Sequence, residues 1–140
     1  MPIIYHTSYL VLHHEPANAT IETEWLGFVN SDQLRSSLLE TLRLCRQHRI
    51  KGYIANNTLL RTIRPADQDW INEVWFPDFA KLGVLRLAIV ESQDGLNRMG
   101  MENIMRRATE HLPFDTHYFA EAAEARHWGA VTADGEVVPS

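Results

Sequence analysis

Thr20-Ile21-Glu22-Thr23-Glu24-Trp25-Leu26, then Leu34, Leu38, Leu42 and Cys45 at helical spacing, then Tyr53-Ile54-Ala55: these three runs decide the fold. In the first, Ile21, Thr23 and Trp25 share one face of an extended chain. Glu22 and Glu24 take the other, where water is expected at least in part. The period then changes from two to about 3.6. Asn30 with Gln33 is a variant of the capping box that opens a helix. Leu39 widens its apolar stripe, and Arg35, Glu40, Arg43, Arg46 and Gln47 fill the remainder. This helix is expected to end near Ile50, before Lys51-Gly52. Tyr53-Ile54-Ala55 then reads as a short central strand. Strand, helix and strand in that order imply a parallel pair joined by a right-handed crossover.

Upstream, Tyr9-Leu10-Val11-Leu12-His13-His14 is rich in strand formers and stops at the turn chemistry of Glu15-Pro16-Ala17-Asn18. With the run from Thr20 it makes an antiparallel hairpin. Downstream, Pro65 suits the first turn of a second helix, and Asp67 and Asp69 complement its dipole. Ile71, Val74 and Trp75 are its expected apolar face, and Pro77 predicts a kink or break near Phe76. Leu85-Arg86-Leu87-Ala88-Ile89-Val90 is the clearest strand, with Glu91 to Gly95 as its exit loop. Met101, Ile104, Met105, Ala108 and Leu112 mark a third helix, His117-Tyr118-Phe119 a final strand, and Glu121 to Trp128 a last short helix. The expected architecture is α/β: a mixed, mostly parallel sheet of about five strands with helices packed on it. A single domain is expected over 1–131, with 132–140 as a fraying tail.

The chain has 140 residues, 45% of them hydrophobic and 22% charged, as one ordinary globular core requires. A net charge of -5 argues against non-specific binding to nucleic acid, which needs a positive field. With one cysteine, no intramolecular disulfide framework or cysteine-rich zinc site is possible. Neither an export signal nor an apolar run of about 20 residues is visible, so the cytoplasm is the expected compartment and membrane insertion is not expected.

Catalytic and cofactor chemistry finds little support. His13 and His14 are adjacent on a strand and point to opposite faces, so they do not chelate one ion, and the other histidines lack ligand spacing. Cys45 lies on the apolar stripe, away from the electropositive setting a reactive thiolate needs. There is no Gly-x-Ser-x-Gly elbow and no glycine-rich phosphate loop. No metal, no cofactor and no enzyme activity are expected.

Two groups stand out as binding candidates. Asn56, Asn57, Thr58, Arg61 and Arg64 leave the carboxyl end of a parallel strand, where open α/β sheets bind ligands. They offer amides, a hydroxyl and guanidiniums to an anionic group. Trp70, Trp75, Phe76 and Phe79 are more aromatic surface than one core-facing stripe needs, which suits a partner surface or a pocket wall. Met99, Met101 and Met105 are read as core or as an adaptable pocket lining.

The order of motifs resembles the STAS-like domains, the fold group of bacterial anti-sigma-factor antagonists, and most closely an uncharacterised bacterial STAS-like family. The residues carrying the likeness are Glu24-Trp25-Leu26-Gly27, Ala55-Asn56-Asn57, Asp67-Gln68-Asp69-Trp70, Trp75-Phe76-Pro77 and Arg86-Leu87-Ala88-Ile89-Val90. Tyr118-Phe119 with Glu121, Ala122, Ala125 and Trp128 completes them. The resemblance implies a non-enzymatic regulatory module that works through a protein partner or self-association as a homodimer. One departure matters. Where antagonists carry a phosphorylatable serine after an aspartate, this chain reads Asn56-Asn57-Thr58-Leu59-Leu60-Arg61-Thr62, so the phospho-switch is not implied. By fold analogy with lipid-transfer CRAL-TRIO domains, the alternative is a carrier of a small amphipathic ligand between sheet and helices.

Overall fold

A computed structural model describes residues 1–108 and 112–130. The expected tail from Thr132 lies outside the described residues. Six strands form one sheet in sequential order: β1 (Ile3–His6), β2 (Leu10–Glu15), β3 (Thr20–Gly27), β4 (Gly52–Leu60), β5 (Arg86–Val90) and β6 (Asp115–Phe119). The first three are antiparallel neighbours, and β3 to β6 run parallel. The α/β reading with its opening hairpin stands. The sequence reading lacked β1, an edge strand that precedes the hairpin.

Topology dictates where the helices go. Each parallel crossover steps to the next strand in the same direction. Right-handed connections therefore lay α1 (Ser31–Gln47), the segment from α2 (Pro65–Trp70) to α3 (Phe76–Phe79), and α4 (Gly95–Ala108) on one face. Leu34, Leu38, Leu42, Trp75, Ile104 and Met105 from these helices share one apolar cluster with Tyr53, Leu87 and Ile89 of the sheet. The opposite face is left to α5 (Ala122–Gly129), whose Ala125 is buried with Ile54, Ala88 and Val90. At Gly52 a Cβ would collide with the Gly129 carbonyl, so glycine is what lets α5 close on β4.

Local deviations from the sequence reading have physical causes. α1 ends at Gln47 rather than near Ile50, because Arg49 takes a left-handed φ of 52° and turns the chain. Leu39 is exposed; Leu44 widens the stripe instead. β4 runs nine residues, so Asn56, Asn57 and Thr58 lie within a strand and not in a loop. Its pairing with β3 continues to Leu60, beyond the last partner on β5. α4 begins at Gly95, with Asp94 Oδ1 accepting from the Leu96 amide at 2.9 Å.

The aromatic segment does not break: helical backbone runs without interruption from Pro65 to Phe79. A π turn spans Ile71–Trp75, and the Phe76 amide donates five residues back to the Ile71 carbonyl. Pro77 lacks an amide hydrogen and its ring opposes the carbonyl four residues earlier; the wider turn absorbs both. One extra residue in a turn rotates everything after it by about 100°. The expected face is accordingly reordered: Val74 is 43% exposed, whereas Phe76 is 7% exposed and belongs to the core. Among the described residues no helix is long and apolar enough to cross a membrane.

Candidate functional site

The nine candidate residues separate into five environments. Trp75, Phe76 and Phe79 are core, not a partner surface: Trp75 and Phe79 stack with centroids 4.6 Å apart, and the Trp75 indole donates to the Leu38 carbonyl at 2.8 Å. Trp70 is half-buried, with the Arg35 guanidinium over its ring at 5.5 Å. Arg61 and Arg64 are exposed. Arg61 pairs with Asp94 at 3.0 Å, tying the ends of β4 and β5 together, and Arg64 lies 5.7 Å over the Phe28 ring.

Asn56 and Asn57 point to opposite faces of β4, as neighbours on a strand must. Asn56 serves a group the sequence reading left in water. Glu22 is 1% exposed on the face that α5 covers, and Arg126 donates to it from Nε at 2.6 Å and from Nη2 at 2.9 Å. Asn56 Nδ2 adds a third bond at 3.1 Å, while its Oδ1 accepts from Thr58 Oγ1 at 2.7 Å. Burial alone would raise the Glu22 carboxyl. The hydrogen bonds from Arg126 and Asn56 and the Arg126 charge outweigh it and hold the group below its ordinary value. This network seats α5. It offers no free acceptor for chemistry, because each carboxylate oxygen is already engaged.

Asn57 is different. It is 2% exposed and faces the helical layer. It borders two adjoining cavities between the sheet and the helical layer. The inner one, about 60 Å³, is apolar and includes Leu34, Tyr53, Ile71, Trp75 and Phe76 in its wall. The outer one, about 130 Å³, lies at the carboxyl ends of β4, β5 and β6. Asn57, Ile89 and Met101 belong to both walls, so they form the partition between them.

Polar groups converge on the outer cavity. Asn97 is fully buried; its Nδ2 donates to the Arg61 carbonyl at 2.8 Å, and its Oδ1 has no partner among the described residues. Arg98 is held by the Ser92 carbonyl, which accepts from Nη1 at 2.8 Å. Ser92 is itself fixed by donating to the Leu60 carbonyl at 2.6 Å. Glu91, Glu102 and Tyr118 complete the wall. The Tyr118 phenol is pushed up by burial and then by the charges of Glu102 and Glu91.

Of the sequence candidates, only Asn57, Trp75 and Phe76 reach this pair of cavities, and Met101 and Met105 line the inner one while Met99 is exposed. Ser92, Asn97, Arg98 and Tyr118 were missed. One signal was available. Alternation continued past Ala55 puts Tyr53, Ala55 and Asn57 on a single face, which marks Asn57 as a polar residue at an apolar position. The rule that ligands sit at carboxyl ends located the right edge. The strand order does not reverse anywhere among the described strands, however, so the opening lies between sheet and helices and not in a crevice between strands.

Cys45 is 1% exposed and burial pushes its thiol far above the ordinary range. Among the described residues no three His, Cys, Asp or Glu side chains are grouped to hold a metal ion. Comparisons with protein-family models, with curated proteins and with solved structures return no match.

Proposed function

We propose that the chain is a STAS-like, non-enzymatic binding or regulatory module that holds a small amphipathic molecule between its sheet and α4. The outer cavity carries this reading, through the fully buried Asn97 Oδ1 in its wall, which has no partner among the described residues. A buried amide oxygen without a partner costs about 1–3 kcal/mol, and a fold keeps such a group where something else satisfies it. Beyond Asn57 lies apolar space, and around the outer cavity lie donors and acceptors, which is the usual construction of a small-molecule site. At about 60 Å³ the inner cavity is smaller than the roughly 150 Å³ that takes benzene. The apolar part is therefore a short branched group and not a lipid chain.

Contact with a protein partner or a second copy is the second reading. It draws on exposed Phe28, Leu59, Leu96 and Met99, which cluster in sequence around the ends of β3 and β4 and the start of α4. Native mass spectrometry of freshly purified protein reports ligand and stoichiometry together. A bound small molecule that disappears in Asn57→Leu supports the first reading. A dimer that dissociates in Leu96→Lys with Met99→Lys, with no small molecule bound, supports the second. A monomer without added mass, unchanged by small polar metabolites, would overturn both.

A further inference from the structure

Three charged side chains border the outer cavity: Arg98 on α4, Glu102 one turn later, and Glu91 just beyond β5. All three side chains are exposed, and no ion pair among the described residues joins Arg98 to either carboxylate. Arg98 is instead held back by the Ser92 carbonyl through Nη1 alone, leaving its remaining N–H groups to other acceptors. Glu91, Glu102 and Tyr118 share the wall of that cavity, and the phenol ring adds a π face favourable to a cation.

Given the binding reading above, on which this rests, we infer that the ligand is a small zwitterion with a branched aliphatic tail, such as an apolar α-amino acid. Its carboxylate takes the free N–H groups of Arg98, its ammonium sits between Glu91, Glu102 and Tyr118, and its side chain passes Asn57 and Met101 into the inner cavity. The charge count excludes the simpler ligands. A bare carboxylate would meet one guanidinium and two carboxylates, and a bare amine would face Arg98 with nothing to neutralise it. Asn57, with one acceptor and two donors, sits at the threshold and hydrogen-bonds the head group. Met101, unbranched and flexible, yields to let the tail through. No bond is made or broken.

The test is a titration followed by amide and side-chain amide NMR shifts of the full chain with four compounds: L-leucine, isopentylamine, 4-methylpentanoate and 4-methylpentanol. Leucine should saturate and shift Asn57, Asn97 and Arg98, with the amine and the acid each about tenfold weaker or more. Arg98→Gln should weaken leucine by about tenfold and strengthen the amine, which no longer faces an uncompensated guanidinium; Glu102→Gln should weaken both. L-phenylalanine, whose ring exceeds the inner cavity, should bind more weakly than leucine. If the alcohol binds as well as leucine, or Arg98→Gln has no effect on leucine, the zwitterion assignment falls while the cavity reading survives. If none of the compounds moves the Asn57 resonances and native mass spectrometry of the same preparation finds no other small molecule, both fall.

Discussion

Replacing Asn57 by leucine should make the protein more stable while abolishing its binding. The wild-type amide is 2% exposed, so its desolvation costs about 1 kcal/mol, the low end for such a group because it is not completely sealed, and an apolar group of similar shape does not incur it. Leucine also extends into the inner cavity of about 60 Å³. Filling it completely, at about 24 cal/mol per Å³, would add about 1.4 kcal/mol. Against these stands roughly 1 kcal/mol of crowding for a larger side chain on a strand already packed against Trp75 and Ile89. The balance is a gain of about 1–2 kcal/mol. Urea unfolding of ligand-free protein should show a higher midpoint at unchanged slope, and thermal melts a rise of about 3–8 °C. Stability and ligand binding would then move in opposite directions, as they do where a fold keeps a costly group for use. A loss of 1 kcal/mol or more in Asn57→Leu would refute the reasoning, since it would mean the amide has a structural partner.

Other consequences are equally open to measurement. Arg126→Met leaves Glu22 buried with one amide for support. It should cost about 3 kcal/mol at neutral pH, the low end for breaking a buried pair because the Arg126 side chain is still half in water. In the wild type the lowered Glu22 carboxyl contributes stability above the ordinary glutamate value and loses it as pH falls through the folded value. In the variant, burial dominates and the carboxyl titrates high, so the two denaturation curves should draw together as pH falls below the ordinary glutamate value; a gap constant from pH 3 to 7 would reduce Arg126 to packing. His14 is lowered by burial and then by His48, its ring 4.4 Å away, against the pull of Glu15. The unfolded chain therefore takes this proton first. Stability should be full above about pH 6.5 and fall as pH drops below it, and His14→Phe should flatten that slope. Leu42→Asp puts an unpaired charge among core residues and should cost several kcal/mol; an unmoved melting temperature would overturn the packing of α1.

Periodicity made most of the fold legible because the helical layer covers one face with continuous apolar stripes. Leu34, Leu38, Leu42, Ile54, Leu87, Ile89 and Ile104 were all readable as core, and all are buried. What failed did so where one residue's environment is made by a segment far away in sequence. Glu22 reads as solvated because its alternation with Ile21 and Thr23 is that of a half-exposed strand. Only α5, 104 positions onward at Arg126, turns that face inward. Phe76 reads as surplus because a helix template of 3.6 residues per turn places it off the stripe, and a proline reads as a break; the π turn cancels both inferences together. The outer cavity was illegible for a third reason. Its wall joins β4, the loop after β5, α4 and β6, and no local pattern announces that Asn57, Arg98 and Tyr118 meet.

That meeting follows from the strand order. Because every crossover from β3 to β6 steps the same way, three helical segments are crowded onto one face and must share it. α4 is drawn against α2 by Gln68, which accepts from Asn103 Nδ2 at 2.8 Å while its own Nε2 donates to the Ile63 carbonyl at 2.8 Å. Gly100 permits the approach, since a Cβ there would stand 3.0 Å from Gln68 Nε2. The first turns of α4 are tied to the ends of β4 and β5 through Asn97, Asp94 and Ser92. Anchored to α2 along its length and to the strand ends at its start, α4 cannot also settle on the outer half of β5 and β6. The space left beneath it is the outer cavity, with Arg98, Met101 and Glu102 as its roof and Asn57 at its inner end. A binding site at that corner thus follows from the topology and from the side chains that pin α4. Shortening Gln68 to alanine should let α4 shift and change ligand affinity, even though Gln68 borders neither cavity.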